Sequence, residues 1–298
     1  MKKYFVIILL ASLTACGANK KKPGAAKDDN KSSVVTDTIV GPYSYDLNVP
    51  EKFYMNDDLH EISGISFNKG NPDTIYAEQD EAGKLFHFKL GDKNYVVTKF
   101  GKKGDYEDVT ICNGYVILLR SDGILFSFPL SAANDEKAGT VQEWQGLLPD
   151  GEFEGLYGDE KTSKLYVLCK HCGEDKTSKE STGTILQLSP DGKITASGGF
   201  SINVKEIESL ANEKKISFHP SALAKSPATQ EWYILSSVNK LLVVTDESFK
   251  PKAVYPLNSS IFNQPEGIAF DSNNNLYVSN EGGDLGSGTI LKFVYRKK

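Results

Sequence analysis

Long hydrophobic runs, histidine and an excess of positive charge are all scarce in this chain of 298 residues. The longest apolar run, Tyr4 to Leu13, is too short to cross a bilayer as a mature helix. Lys and Arg number 34 against 39 Asp and Glu, for a formal net charge of −5, which excludes a basic nucleic-acid footprint. The four histidines are His60, His87, His171 and His219. No His-Glu-x-x-His, Gly-x-Ser-x-Gly or phosphate-binding glycine loop is present, so zincin, serine-hydrolase and P-loop chemistry have no sequence basis.

The N-terminus reads as a leader. Lys2 and Lys3 precede the apolar run, which ends in Leu13-Thr14-Ala15-Cys16, small residues before a cysteine as in a bacterial lipobox. The expectation is a lipoprotein signal peptide over 1–15, an acylated Cys16, a Lys/Asp/Ser/Gly-rich disordered linker to residue 37, and one folded domain over 38–298. Gly17 rather than aspartate follows the cysteine, which points to the outer membrane and leaves the periplasmic or surface face open.

Three further cysteines remain. Cys112 reads as a small core residue. Cys169-Lys170-His171-Cys172 is a weak zinc pattern without a second cluster, and in an oxidising envelope it fits either a local disulfide or two thiols.

Within the domain a unit recurs. Its first runs stack as Ile62-Ser63-Gly64-Ile65, Tyr106-Glu107-Asp108-Val109, Phe153-Glu154-Gly155-Leu156, Pro220-Ser221-Ala222-Leu223 and Pro265-Glu266-Gly267-Ile268. The anchors Gly64, Asp108, Gly155, Ala222 and Gly267 follow the roughly 40–50-residue period of propeller blades except for one longer step. Each unit continues with two more apolar runs between Asp-Gly and Asn-rich turns. The fold class is therefore all-β: a single β-propeller of five blades, with six as the alternative count. The extra residues include Ile202 to Lys215, read as a short amphipathic helix with Ile207 and Leu210 on one side. The chain ends after a third strand, so closure is expected from an N-terminal strand, Tyr43–Val49, pairing with Thr289–Phe293.

A propeller brings equivalent positions onto one ring. The residue before each anchor is Ser63, Glu107, Glu154, Ser221 or Glu266. A second ring holds Asp80, Arg120, Lys170, Ser237 and Glu281, with Asn280 and His171 beside it, and His60 and His219 lie before first strands at the same mouth. Glutamates there can hold blades together through backbone amides, with Arg120 and Lys170 compensating them. They can also form a site: Glu107, Glu154, Glu266 and Asn280 are oxygen donors suited to Ca²⁺ or Mg²⁺. Asp80, Glu281, Arg120, Lys170 and His219 complete the candidate ligand-binding set, with His60 and His219 as candidate bases.

Glu61-Ile62-Ser63-Gly64-Ile65, Tyr106-Glu107-Asp108, Phe153-Glu154-Gly155-Leu156, Phe218-His219-Pro220-Ser221-Ala222-Leu223 and Gln264-Pro265-Glu266-Gly267-Ile268-Ala269-Phe270, with Ser279-Asn280-Glu281-Gly282, resemble the SdiA-regulated family of bacterial propeller proteins. That resemblance implies a propeller with a polar channel mouth and no defined reaction. The chain is more distantly similar to NHL and gluconolactonase-type propellers. The latter use Glu, Asn and Asp around a divalent cation to open lactones, with Glu266 and Asn280 the matching positions. Three functions follow as expectations: a membrane-anchored, monomeric ligand-binding propeller, with Ca²⁺ as candidate cofactor; a metal-dependent hydrolase of lactones, esters or phosphoesters at the same place; or a protein-interaction scaffold.

Overall fold

The computed structural model describes residues 41–297 apart from 43, 174, 176–178, 284 and 285. The expectations for the leader, Cys16 and the linker fall outside the described residues.

Among the described residues, twenty strands form five four-stranded antiparallel sheets. An N-terminal strand, β1 (Glu51–Tyr54), comes first. Blade one is β2 (Ile62–Phe67), β3 (Ile75–Gln79), β4 (Lys84–Phe88) and β5 (Val96–Lys99). Blade two is β6 (Tyr106–Cys112), β7 (Tyr115–Arg120), β8 (Leu125–Pro129) and β9 (Gln142–Trp144). Blade three is β10 (Gly151–Asp159), β11 (Lys164–Cys172), β12 (Glu180–Leu188) and β13 (Ile194–Asn203). Blade four is β14 (Ala222–Lys225), β15 (Trp232–Ser236), β16 (Leu241–Thr245) and β17 (Pro251–Pro256). Blade five is β18 (Pro265–Phe270), β19 (Leu276–Asn280) and β20 (Thr289–Phe293), completed by β1. The first strand of each blade contacts its two counterparts around the axis, so the ring closes.

Closure comes from the N-terminus, but not from the expected segment. Residues 44–49 are not strand; β1 pairs with β20 from Glu51↔Lys292 to Tyr54↔Thr289. Tyr45 and Leu47 instead plug the apolar layer between blades four and five. The Tyr45 hydroxyl donates to the Asn274 carbonyl at 2.6 Å. A bend closed by the Val49 N–H on the Asp46 carbonyl precedes Pro50, and the strand starts after it.

The longer step is not a sixth blade. It contains the extended β12–β13 hairpin and a helix, α1 (Val204–Ala211). Asn203 caps the helix by accepting from the Glu206 N–H at 3.1 Å, and Asn212 ends it in a left-handed conformation. Its buried side chains are Val204 and Ile207; the predicted partner Leu210 is 44% exposed.

Small anchors answer to the neighbouring blade rather than to the channel. A Cβ on Gly64 would stand 2.3 Å from Asp108 Oδ1 and 2.5 Å from its Cα, and one on Gly267 would stand 2.4 Å from the Ser63 carbonyl oxygen. Hydrogen bonds bolt the same seam. Asp108 accepts from the Val109 N–H at 2.8 Å and, across the blades, from the Leu156 N–H at 2.7 Å. Ser63 and Ser221 donate to the carbonyls of Glu107 and Pro265, each at 2.8 Å. Those two serines are bolts of the fold.

Candidate functional site

The register of the inner strands explains how the glutamates leave the ladder. In blade two Tyr106 pairs with Arg120 and Asp108 with Leu119, so Glu107 is an extra residue. In blade three Phe153 pairs with Cys169 and Gly155 with Leu168, which leaves Glu154 extra. In blade five Pro265 pairs with Asn280 and Gly267 with Ser279, which leaves Glu266 extra. Each glutamate is thus the inserted residue of a β-bulge, the device by which a strand re-aims one side chain. Lys170 is likewise extra on β11, between His171 paired with Glu152 and Cys169 paired with Phe153. Spacing in the sequence aligned these positions but could not reveal the bulges, which exist only in the pairing.

The re-aimed side chains share one electrostatic neighbourhood. Burial first, then Glu154 and other carboxylates, pushes Glu107 up to about 9. Burial, Glu154 and Glu281 push Glu266 up to about 8, against a hydrogen bond from Ser237. Burial raises Glu154 to about 7 even though the Lys170 ammonium opposes it with a hydrogen bond and its charge. Lys170 bonds Glu154 and lies 3.9 Å from Glu152. Its own pKa is raised: burial works to lower it, and the surrounding glutamates outweigh burial. One ammonium therefore serves several carboxyls.

The neighbouring sector continues the pattern. Asp80 is raised to about 7 by burial and by Glu61 and Glu281. Glu281 is raised by burial and Glu61, and accepts from the Gln264 side-chain amide at 2.6 Å. Asn280 is 1% exposed, and neither its Oδ1 nor its Nδ2 has a hydrogen-bond partner among the described residues. Glu78, which the repeat did not single out, is fully buried and accepts from the Gly64 N–H at 2.7 Å, with its second oxygen unpartnered among the described residues. Its only signal was a glutamate breaking the apolar pattern of β3.

Two predicted residues lie differently. Arg120 forks onto Asp122 with Nε–Oδ1 2.9 Å and NH2–Oδ2 2.8 Å and covers the Phe126 ring, so its charge is directed there and not at the glutamates. His219 lies beside His171, the ring centroids 4.5 Å apart and the planes tilted by 52°. Burial, then His171 and Lys170, hold its pKa below the ordinary value, while its Nε2 meets Ser217 Oγ at 2.9 Å. His171 Nδ1 is 2.6 Å from Glu152. A cavity of about 230 Å³ adjoins this pair, with Lys170, Cys172 and Lys215 in its wall. Cys169 and Cys172 are disulfide-bonded, which removes the thiolates that a zinc reading needs; Cys112 is free and buried.

A family model described as SdiA-regulated matches residues 42–283. The chain belongs to the SdiA-regulated family. No curated protein matches it in sequence. Among solved structures, it is similar to a luciferin-regenerating enzyme at 10% identity and TM-score 0.54, covering 83% of this chain and 95% of that one. It is also similar to the glutaminyl cyclase of Myxococcus xanthus at 14% identity and TM-score 0.53, covering 83% and 96%. Regucalcin of Agrobacterium tumefaciens, a calcium-binding protein, aligns at 13% identity and TM-score 0.48, covering 85% and 97%. At these identities the likeness concerns the fold; the family member's site has to be read from its own residues.

Proposed function

We propose that this SdiA-regulated propeller binds a ligand at the glutamate mouth through a divalent cation, with Ca²⁺ the best match to the donors. The observation that carries the reading is the set of three bulges, which spend regular pairing to bring Glu107, Glu154 and Glu266 together on one ring. Carboxyls that raise one another's pKa, with Lys170 and Lys240 as the ammonium groups that act on them, must stay protonated or take up further positive charge. The donors are all oxygen, the choice of a hard cation, and Asn280 contributes a buried amide with an unpartnered Oδ1. Glu107, Glu154, Glu266 and Asn280 would hold the ion, which supplies a positive centre for an anionic or carbonyl group of a ligand. Asp80, Glu281, Lys170 and His219 frame the space beside it.

Calorimetric titration of the full chain with CaCl₂ at pH 8 tests this. One saturable site is expected, weakened at least tenfold in Glu266→Gln; absence of saturable binding at millimolar calcium refutes it.

A second reading, a metal-dependent hydrolase of lactones, esters or phosphoesters, is favoured by one feature. His219 has its pKa held low beside the mouth and is therefore neutral at pH 7, as a general base must be. Turnover of such substrates that is lost with chelator and with His219→Gln would support it; chelator-insensitive or absent turnover would dismiss it.

Cys16 and the leader support a lipid-anchored protein of the outer membrane. Mass spectrometry of the mature N-terminus should find acylated Cys16, and a Cys16→Ser chain should leave the membrane fraction.

A further inference from the structure

The end of the channel opposite the glutamates holds the larger cavity, about 480 Å³, within the about 300–1,000 Å³ range of small-molecule sites. Its lining begins one residue after each anchor, at Ile65, Val109, Leu156, Leu223 and Ile268, so every blade contributes one aliphatic residue to its inner end. Phe67, Ile111, Ala224, Ala269 and Phe270 extend the apolar wall.

Polar groups of the wall are committed to the fold. Ser66 Oγ accepts from the Ile111 N–H at 3.3 Å, and Thr110 Oγ1 from the Gly158 N–H at 3.0 Å. Buried Asp271 accepts from the Asn273 and Asn275 N–H groups at 2.8 Å and from the Tyr277 hydroxyl at 3.0 Å. At the rim, Asp159 accepts from the Lys161 N–H at 2.9 Å and Glu160 from the Asn113 N–H at 3.0 Å. Lys225 reaches Glu247 at 3.5 Å. The exposed ammonium groups of Lys69 and Lys161 have no hydrogen-bond or ion-pair partner among the described residues, which makes them the unpaired cations of this rim beside the backbone-bonded carboxylates of Asp159 and Glu160.

An apolar well under free cations matches one chemistry. We propose that this cavity is a second binding site, separate from the glutamate mouth, for a small anionic amphiphile. The acyl chain lies against the aliphatic end and the carboxylate or phosphate head meets Lys69 and Lys161. Burial of the chain supplies affinity, and the two lysines select an anionic head over a neutral one.

The test is titration of the full chain with sodium dodecanoate and, separately, with dodecanol, each below its aggregation limit. Saturable one-to-one dodecanoate binding is expected. Ala269→Phe, which adds bulk to the wall of the well, should weaken both ligands at least tenfold, with a melting curve confirming that the variant is folded. The surface double variant Lys69→Glu/Lys161→Glu should weaken dodecanoate at least fivefold and leave dodecanol unchanged. Glu266→Gln should alter neither. Absence of saturable dodecanoate binding, its persistence in folded Ala269→Phe, or its indifference to the lysine exchange would each overturn the proposal. If Ala269→Phe fails to fold, the lysine pair decides alone.

Discussion

The two ends of the channel are built from the same five strands, two residues apart in the repeat. Before the anchor stand Glu107, Glu154 and Glu266; after it stand Ile65, Val109, Leu156, Leu223 and Ile268. At the first end the ladder is broken by bulges and its carboxyls raise one another's pKa. At the second the wall is apolar and its polar groups are bonded within the fold. Irregular pairing and electrostatic conflict are concentrated at one end, whereas the other offers space and apolar surface.

The largest expected effect comes from abolishing the contrast. Leu156→Asp puts an unpaired carboxylate into the aliphatic ring, where Leu156 is 3% exposed, and should cost about 4 kcal/mol or more, read from denaturant unfolding. Next is the only ammonium among the described residues that bonds Glu154. Lys170→Met strands the Glu154 carboxyl, 7% exposed, while Lys170 itself is 24% exposed. A loss of about 2 kcal/mol is expected, below the about 3–5 kcal/mol of a fully buried broken pair. Adding Glu154→Gln should recover most of it, and a strictly additive double variant would show that the two do not interact.

A third effect is pH dependence. Glu107, Glu154 and Glu266 keep their protons in the fold to about 9, 7 and 8, against 4.5 for an ordinary glutamate. The folded state therefore binds more protons than the unfolded chain across that window, and stability falls as pH rises. Their contribution is complete below about pH 4.5 and lost through pH 7 to 9. Without divalent ions the melting midpoint should drop by several degrees from pH 6 to pH 9, and Glu107→Gln should flatten the drop. The smallest effect sharpens the boundary of the site. Arg120→Gln removes an exposed pair with Asp122 and should cost at most about 1 kcal/mol, leaving calcium titrations unchanged.

Much of this was legible in the chain because a repeat fixes position. Glu107, Glu154 and Glu266 could be aligned from the strings around their anchors, and the blade count followed from the spacing. Local chemistry misled where a tertiary partner decided the outcome. Tyr43 to Val49 alternate like a strand in sequence, yet Tyr45 and Leu47 are held as a plug and β1 begins after Pro50. Arg120 occupies the ring position of Lys170, but Asp122 two residues on captures it. The bulges, and the aliphatic well they face away from, depend on strand register, which no single strand's sequence states.

The most direct measurement is a high-resolution crystal structure of the protein grown with calcium at pH 8. Anomalous density is expected at the mouth, with oxygens of Glu107, Glu154, Glu266 and Asn280 at about 2.3–2.6 Å, and none in the aliphatic cavity. A mouth closed by the Lys170–Glu154 pair, with no ion at saturating calcium, would contradict it.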